Sequence, residues 1–357
     1  MEQRKRNGYI DIIKFVFALI IMESHQLTAV FHGGRVVVEG FFMVSSYLMM
    51  CYIQRNNYPE DTLGVSTMRF IGRKYKGLLP FLLPSALINY IIICFAKRTG
   101  LKAAITTLPL LLFEVVPLKD TGFGGHYVLG ISWYLSAMFV ALAILYPLCK
   151  KFGRNFTLVV CPLLAVLIYG YLSHIYGSLA ISGMYTAAGN PIHVGLLRGL
   201  AGSALGCVLY DICQLLSTKK VTICGRVVFA VLEILGFALL FWMMYYHPKS
   251  KYDYVCAFLI FGLLIIGISG ISATSVLLRG DWTKKFGTWS TLIVLNHWGF
   301  KTLLPKVFGK DYIHTNKVWL YHLGVIACCI VTYLLSKLVK LMMNKMSFKK
   351  LFQSETE

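Results

Sequence analysis

Two ionisable residues mark the ends of an otherwise apolar stretch near the start of the chain. The stretch KFVFALIIMESH has Lys14 at one end and His25 at the other. On an α-helix, eleven residues correspond to three turns plus about 20°, so both side chains lie on one face, about 16 Å apart along the axis. A cation and an imidazole on one helix face can bind an anionic group and exchange a proton. This stretch is therefore a candidate site of chemistry.

Each of these two residues also has a structural interpretation. The Lys14 side chain can snorkel, with its stem in the apolar region and its ammonium at the membrane interface. His25 can be a histidine that is hydrogen-bonded between helices. The residues alone leave both alternatives open.

A second intramembrane cation, Arg198, lies in the stretch HVGLLRGLAGSALG. Small residues surround it and allow neighbouring helices to approach closely. These residues are Gly199, Ala201, Gly202, Ala204 and Gly206. We expect Arg198 to face protein rather than lipid, opposite a carboxylate.

The elements that must position these residues are membrane-spanning helices. The chain has 357 residues, of which 57% are hydrophobic, and a mean hydropathy of +0.67, which is typical of a polytopic membrane protein. A helix needs about 20 apolar residues to cross about 30 Å of hydrocarbon. Such runs cover residues 9–31, 36–54, 77–96, 128–148, 156–175, 192–216, 226–246, 254–273, 286–305 and 317–339. The predicted fold class is all-α, with about ten transmembrane helices.

The distribution of the 35 Lys and Arg residues predicts the orientation. Most of them fall on the side of the N-terminus, which indicates that both termini are cytoplasmic. The segment 101–118 is apolar but contains two prolines and a glutamate, and we interpret it as re-entrant or interfacial on the outer side. We predict one transmembrane domain over residues 1–345 and a short cytoplasmic tail over 346–357.

The charge and the cysteines point to no further partner. Positive-inside bias and attraction to anionic lipid account for most of the net charge of +20. No basic groove interleaved with aromatic residues indicates nucleic-acid binding. The 10 cysteines show no CxxC spacing, so we expect neither a disulfide framework nor a metal site.

The chain resembles the acyltransferase 3 family, integral membrane O-acyltransferases of bacterial envelope glycans. The stretches that carry the resemblance are YIDIIKFVFALIIMESH (9–25), VVVEGFFMVSSYLMM (36–50), RFIGRKYKGLLP (69–80), SWYLSAMFVALAILYPL (132–148) and GTWSTLIVLNHWGF (287–300). The first span of the family carries a basic residue, ten intervening residues and a histidine, which matches Lys14 and His25. The second span of the family reads roughly Gly-Val-Asp-x-Phe-Phe-x-x-Ser-Gly.

Three positions depart from the family pattern. Lysine at position 14 stands where arginine is commoner, so a point charge replaces a bidentate fork. Glu39 replaces an aspartate and keeps its charge. Ser46 replaces a glycine, which leaves the packing around Ser45 open.

The resemblance implies transfer of an acyl group to a hydroxyl. His25 is the candidate general base, because imidazole titrates near neutral pH. Glu39 is the second candidate catalytic residue, which orients His25 or holds acceptor hydroxyls. The alternative for Glu39 is a carboxylate solvated at the outer interface.

The implied donor substrate is acetyl-CoA, with no bound cofactor. Its phosphates need cations on the cytoplasmic side. The candidate donor-binding residues are Lys14, Arg69, Arg73, Lys74 and Lys76. Ordinary positive-inside charge is the competing interpretation of this basic cluster.

The resemblance also implies residues that line the cavity or contact the acceptor. These residues are Ser45, Trp133, Tyr134, Arg198 and His297. The aromatic rings can stack on a sugar, although anchoring in the aromatic belt of the membrane explains Trp133 and Tyr134 equally well.

Other functions remain compatible with the residues. Intramembrane histidines and cations also serve proton-coupled transporters or exporters of small solutes, and a non-catalytic glycan-assembly factor is a third possibility. The resemblance implies a multi-pass protein of a bacterial plasma or inner membrane that meets acyl-CoA, a glycan or lipid-linked sugar, and lipid. The acceptor sugar, the acyl chain length, the route of acyl transfer and the oligomeric state stay open.

Overall fold

The computed structural model describes residues 7–26, 31–56, 61–119, 121, 130, 132–179, 193–309 and 318–345. Its α-helices are α1 (Gly8–Ser24), α2 (Val37–Arg55), α3 (Leu63–Ala96), α4 (Leu101–Thr107), α5 (Leu112–Val115), α6 (Ser132–Asn155), α7 (Cys161–Tyr176), α8 (Val194–Ser217), α9 (Ile223–Tyr246), α10 (Tyr252–Ser269), α11 (Ala273–Leu277), α12 (Lys284–Phe308) and α13 (Trp319–Lys345). Short 3-10 turns lie at Gly34–Val36, Leu108–Leu111 and Asp281–Thr283, and a π-helical turn lies at Phe156–Val160. Every regular element of these residues is helical, which confirms the all-α prediction.

Seven helical segments in the described part of the chain are long and apolar enough to cross a membrane. They are Gly34–Arg55, Leu63–Ala96, Ser132–Tyr176, Val194–Ser217, Ile223–Tyr246, Tyr252–Ser269 and Trp319–Lys345. The chain is thus a multi-pass membrane protein. Each of the ten predicted spans overlaps a helix, but α1, with 17 residues, is only about 25 Å long. The number of crossings and the orientation of the termini stay predictions.

Three helices have bounds that differ from those of the predicted spans. The first helix ends at Ser24, so His25 lies at its end and not deep within a span that reaches residue 31. The third helix begins at Leu63 and runs through the basic stretch into the predicted span. The helix predicted to end at 148 continues to Asn155, across a kink at Gly153, where φ is +56°.

The chain divides into two compact units. The first contains residues 1–71, 117–125 and 131–290, and the second contains residues 72–116, 126–130 and 291–357. Helix α8 lies at the centre of the first unit and packs against α2, α6, α7 and α10. The approach to α2 is close, since a Cβ built at Gly206 would lie 2.0 Å from Ser46 Oγ and 2.2 Å from the Met43 carbonyl oxygen. The small residues of α8 therefore act as predicted, by letting helices touch.

The segment 101–116 of the second unit runs alongside α3. The Tyr90 hydroxyl hydrogen-bonds to the Ala104 carbonyl, and the Tyr75 hydroxyl donates to the Val115 carbonyl at 3.2 Å. Tyr75 and Tyr90 are about 22 Å apart along a helix axis. The segment consists of short helices joined by a 3-10 turn and returns toward the start of α3. Whether this segment is re-entrant or interfacial stays a prediction.

Candidate functional site

A buried ion pair joins α2 to α8. Nε of Arg198 donates to Oε1 of Glu39 at 2.7 Å, and the two side chains are 1% and 0% exposed. Both residues were predicted to take part in the site, and the carboxylate expected opposite Arg198 is Glu39. Because Glu39 has no solvent exposure, the alternative of a carboxylate solvated at the outer interface is wrong.

The second carboxylate oxygen of Glu39 also has a partner. The Tyr169 hydroxyl of α7 donates to Oε2 at 2.6 Å. Glu39 lies in the first turn of α2, where the helix dipole favours negative charge. A buried charge is tolerated when its hydrogen-bonding capacity is filled, and this carboxylate meets that condition.

The arginine is held on its other sides by an aromatic ring and a carbonyl. Its guanidinium carbon lies 5.1 Å from the centre of the Trp133 ring, within the range of a cation–π interaction. Its NH2 group lies 3.5 Å from the Arg35 carbonyl oxygen. Gly202, one turn after Arg198, makes room for this arrangement, since a Cβ there would lie 3.0 Å from Glu39 Oε2.

The two aromatic residues at the start of α6 face protein. Trp133 is 9% exposed and covers Arg198, so anchoring in the aromatic belt does not explain it. Tyr134 is half-buried, and its ring centre lies 4.9 Å from that of Phe42 and 5.9 Å from that of Phe41. Contact of either ring with a sugar stays a prediction.

Ser45 and Ser46 have different surroundings. The Ser45 hydroxyl is buried and lies 3.2 Å from Met138 Sδ. The Ser46 hydroxyl donates to the Phe42 carbonyl at 3.0 Å. Gly206 provides the small residue at the contact with Ser46, and the role of Ser45 stays a prediction.

The His25 imidazole is oriented by its own helix. His25 caps the C-terminus of α1 and is half-buried, and its Nδ1 lies 2.7 Å from the Ile21 carbonyl oxygen. A carbonyl can only accept a hydrogen bond, so Nδ1 carries the proton and Nε2 carries the lone pair of the neutral ring. This is the tautomer in which Nε2 can act as a base.

The end of α1 is packed against the turn that precedes α2. A Cβ at Gly34 would lie 2.9 Å from both Ser24 Cβ and Ile20 Cγ2, so the glycine permits this contact. The 3-10 turn Gly34–Val36 then leads directly into α2. Arg198 and Tyr169 each donate a hydrogen bond to the carboxylate of Glu39. An interaction in which Glu39 orients His25 stays a prediction.

Lys14 is half-buried in the middle of α1. Its backbone carbonyl accepts a hydrogen bond from the Ser290 hydroxyl at 2.8 Å. One turn earlier, the buried carboxylate of Asp11 accepts from the Thr283 hydroxyl at 3.3 Å. These contacts fix α1 within the first unit. Lys14 lies in the helix and His25 is the residue that caps its C-terminus, and the shared face of the two side chains stays a prediction. Binding of the acyl donor by Lys14 stays a prediction.

The predicted donor-binding residues of α3 are more exposed. Arg69, in the first unit, forms an ion pair with Asp61, and its side chain is 40% exposed. In the second unit Arg73 and Lys76 are exposed and Lys74 is half-buried. Their exposure leaves both the phosphate-binding and the positive-inside interpretations open.

His297 lies in the second unit and is fully buried. Its Nδ1 lies 3.2 Å from the Ile293 carbonyl oxygen, one turn earlier, which is the arrangement that His25 makes with Ile21. The preceding residue, Asn296, accepts a hydrogen bond from the Thr332 hydroxyl at 3.0 Å. The polar groups of His297 and Asn296 thus lie in the helix packing of the second unit.

Sequence reasoning missed Tyr169 and the carbonyl of Arg35. Tyr169 lies in an apolar span with two further tyrosines, Tyr171 and Tyr176, and no spacing distinguishes it from them. The only available signal was indirect, because a buried carboxylate needs more than one hydrogen-bond donor.

The comparison with protein families identifies a family for this chain. A family model described as an acyltransferase domain matches residues 7–339, which covers nearly the whole chain and includes all predicted site residues. Comparison with curated proteins and with solved structures gave no significant match.

Proposed function

Because this chain belongs to the acyltransferase domain family that it matches over residues 7–339, we propose that it moves an acetyl or similar short acyl group from acyl-CoA to a hydroxyl of a cell-surface or lipid-linked glycan. The proposed location is a bacterial plasma or inner membrane. Acyltransferase activity follows from the family, whereas the donor, the acceptor and the membrane are our proposals. The family match gives no support to a transporter.

The arrangement of His25 carries the mechanistic part of the proposal. With Nδ1 donating to the Ile21 carbonyl, Nε2 is the basic atom, and it accepts the proton of the acceptor hydroxyl. The hydroxyl oxygen attacks the thioester carbonyl carbon, the C–S bond breaks, and the CoA thiolate leaves and is protonated. The new bond is an O-acyl ester.

Glu39 and Arg198 act in this scheme as positioning residues. Their pair links α2 to α8, and Tyr169 and Trp133 add contacts from α7 and α6. The turn Gly34–Val36 connects this cluster to the end of α1, where His25 lies. We expect the cluster to hold His25, the proposed base, in a fixed position. It would likewise hold Ser45, Trp133 and Tyr134, the residues proposed to contact the acceptor.

Binding of the donor is proposed at Arg73, Lys74 and Lys76 of α3, in the second unit, and the roles of Lys14 and Arg69 of the first unit are separate proposals. The CoA phosphates and pyrophosphate are anions that arginine and lysine recognise by charge-assisted hydrogen bonds. Arg73 and Lys76 are exposed and can meet a ligand that arrives from the aqueous phase.

His297, buried in the second unit, is proposed as a cavity residue and not as a donor contact.

The test is an acyl-transfer assay with purified protein in lipid nanodiscs. The probe is acetyl-CoA radiolabelled in its acetyl group, offered with envelope polysaccharide or lipid-linked glycan from cells that lack the protein. We expect label in the glycan and one free CoA thiol per transferred acetyl group. Label that stays entirely in acetyl-CoA with every acceptor fraction would overturn the proposal. Label moved across a vesicle membrane without chemical change would favour a transporter.

A cellular comparison tests the acceptor class independently. Mass spectrometry of envelope polysaccharide from cells with and without the protein should show an added mass of one acetyl group only when the protein is present. Identical spectra would exclude the glycan acceptor while leaving acyltransferase activity toward another hydroxyl testable in nanodiscs.

A further inference from the structure

Three buried cysteines from three different helices meet in the first unit. Cys149 comes from α6, Cys161 begins α7, and Cys207 lies in the middle of α8. They are 2%, 0% and 0% exposed, and their sulfur atoms all lie within 4.8 Å of one another. The proposed acyl transfer uses none of them, and their spacing in the sequence forms no motif.

We propose that Cys149, Cys161 and Cys207 form a trigonal thiolate site for one Cu(I) ion. Three sulfur atoms about 2.3 Å from a shared ion lie about 4.0 Å from one another. Cys149 Sγ and Cys207 Sγ are 3.7 Å apart, and all three sulfur atoms lie within 4.8 Å of one another, which is compatible with this geometry. The sequence-based expectation of no metal site rested on the lack of CxxC spacing, which does not detect ligands that only the fold assembles.

The number and type of ligands select the ion. Soft thiolate ligands favour Cu(I) and Zn(II), but structural zinc takes four ligands in a tetrahedron. No fourth His, Cys, Asp or Glu of the described residues joins this group. Asp211, one turn after Cys207 on α8, is held instead by the Thr157 hydroxyl and lies 3.6 Å from Arg154 Nε. Three sulfur ligands therefore suit Cu(I) better than Zn(II).

A basic residue adjoins one of the three cysteines in the sequence. On binding, each cysteine loses its thiol proton, so three thiolates with one Cu(I) carry a net charge of −2. Lys150 directly follows Cys149, and its ammonium is buried with no hydrogen-bond partner among the described residues. Arg154 neutralises Asp211. Lys150 is thus the one cation of this pair that is left to offset part of the charge of the bound site.

Such an ion would fasten α8 to α6 and α7. Arg198 lies on the same helix about 13 Å from Cys207 along the axis, so the metal would fix the helix that carries the buried ion pair. The inference concerns metal binding alone and does not depend on the acyl-transfer reaction.

The first experiment is an anaerobic titration of the full-length protein in detergent with Cu(I), in competition with bicinchoninate. We expect one tightly bound Cu(I) per chain. Replacing any one ligand, as in Cys149→Ser, Cys161→Ser or Cys207→Ser, should weaken binding by more than about 100-fold, because even the loss of outer-shell partners costs 10–100-fold. The matched control is Cys328→Ser combined with Cys329→Ser, two buried cysteines of α13, which should bind Cu(I) like the wild type.

A second measurement avoids the folding of variants. X-ray absorption of wild-type protein loaded with Cu(I) should show three sulfur neighbours at about 2.3 Å. The proposal is overturned if folded wild type binds no Cu(I), if the triple Cys→Ser variant binds as tightly as wild type, if nitrogen or oxygen neighbours dominate, or if Zn(II) displaces Cu(I) when both are offered at equal concentration.

Discussion

Nε of Arg198 lies 2.7 Å from Oε1 of Glu39, and neither side chain has appreciable contact with solvent. Removing one charge of such a pair leaves the other buried and uncompensated, which typically costs about 3–5 kcal/mol. We therefore expect Glu39→Gln to lower the free energy of unfolding by roughly that amount. The measurement is chemical unfolding in detergent, followed by tryptophan fluorescence.

An exposed ion pair provides the control for this change. Asp281 and Lys284 are 2.8 Å apart and their side chains are 76% and 52% exposed, so Asp281→Asn should cost less than about 1 kcal/mol. Equal effects of the two substitutions would contradict the view that burial makes the Glu39–Arg198 pair important.

Close packing of α8 on α2 depends on Gly206. A Cβ at this position would lie 2.2 Å from the backbone oxygen of Met43, and backbone cannot move aside cheaply. Overpacking of this kind typically costs about 1–3 kcal/mol, so Gly206→Ala should lower the unfolding midpoint. Gly262→Ala on α10 is the matched control, because a Cβ there meets nothing within 4 Å. We expect Gly262→Ala to be neutral or to stabilise by about 0.5–1 kcal/mol, and the reverse order would contradict this packing.

The helices could be predicted from the sequence because a membrane span must be apolar over its whole length. Their ends could not be predicted in the same way, since apolarity marks where a helix meets lipid and not where the helix stops. The basic stretch before Gly77 reads as a loop by hydropathy, yet it continues α3 back to Leu63. The end of α1 at Ser24 was missed for the same reason, because the residues that follow it are also apolar.

It was easier to predict which residues belong to the site than to predict which of them contact one another. Intramembrane charges are costly, which singled out Arg198, and the resemblance of the second span to the family pattern singled out Glu39. They are 159 positions apart, and no local pattern tells which carboxylate meets which cation. Tyr169 and the cluster of Cys149, Cys161 and Cys207 were missed because only the packing of α6, α7 and α8 brings such residues together.

Loss of the proposed base should reduce catalysis without unfolding the protein. General-base catalysis typically contributes about 10²–10⁴ in rate, so we expect His25→Ala to lower acyl transfer by that factor. The rate is measured in nanodiscs and normalised to folded protein. His174→Ala, which removes an exposed histidine of α7, is the control and should retain the wild-type rate. A near-normal rate for His25→Ala would remove His25 from the mechanism.

The basic residues of α3 should affect binding of the donor more than turnover. Phosphate contacts lie far from the reacting carbonyl and act equally on ground state and transition state. Replacing Arg73 and Lys74 together by glutamine should therefore raise KM for acetyl-CoA while leaving kcat nearly unchanged. The control replaces Lys219 and Lys220, an exposed basic pair after α8, by glutamine. If both double variants raise KM equally, general surface charge is the cause and a specific donor site is excluded.

The charge of Lys14 separates a donor contact from an interfacial anchor. Lys14 lies on α1 about 16 Å from His25 along the helix axis, too far to reach a hydroxyl at the imidazole but placed to meet a donor that enters from the other end. A donor contact needs the charge, so Lys14→Arg should retain much of the acyl-transfer rate, and Lys14→Met should lose most of it. A snorkelling lysine makes the opposite prediction, because methionine is apolar and of similar length. The measurement is acetyl transfer in membranes, normalised to folded protein, for the wild type and both variants. Equal rates in all three proteins would mean that Lys14 only anchors α1 at the interface.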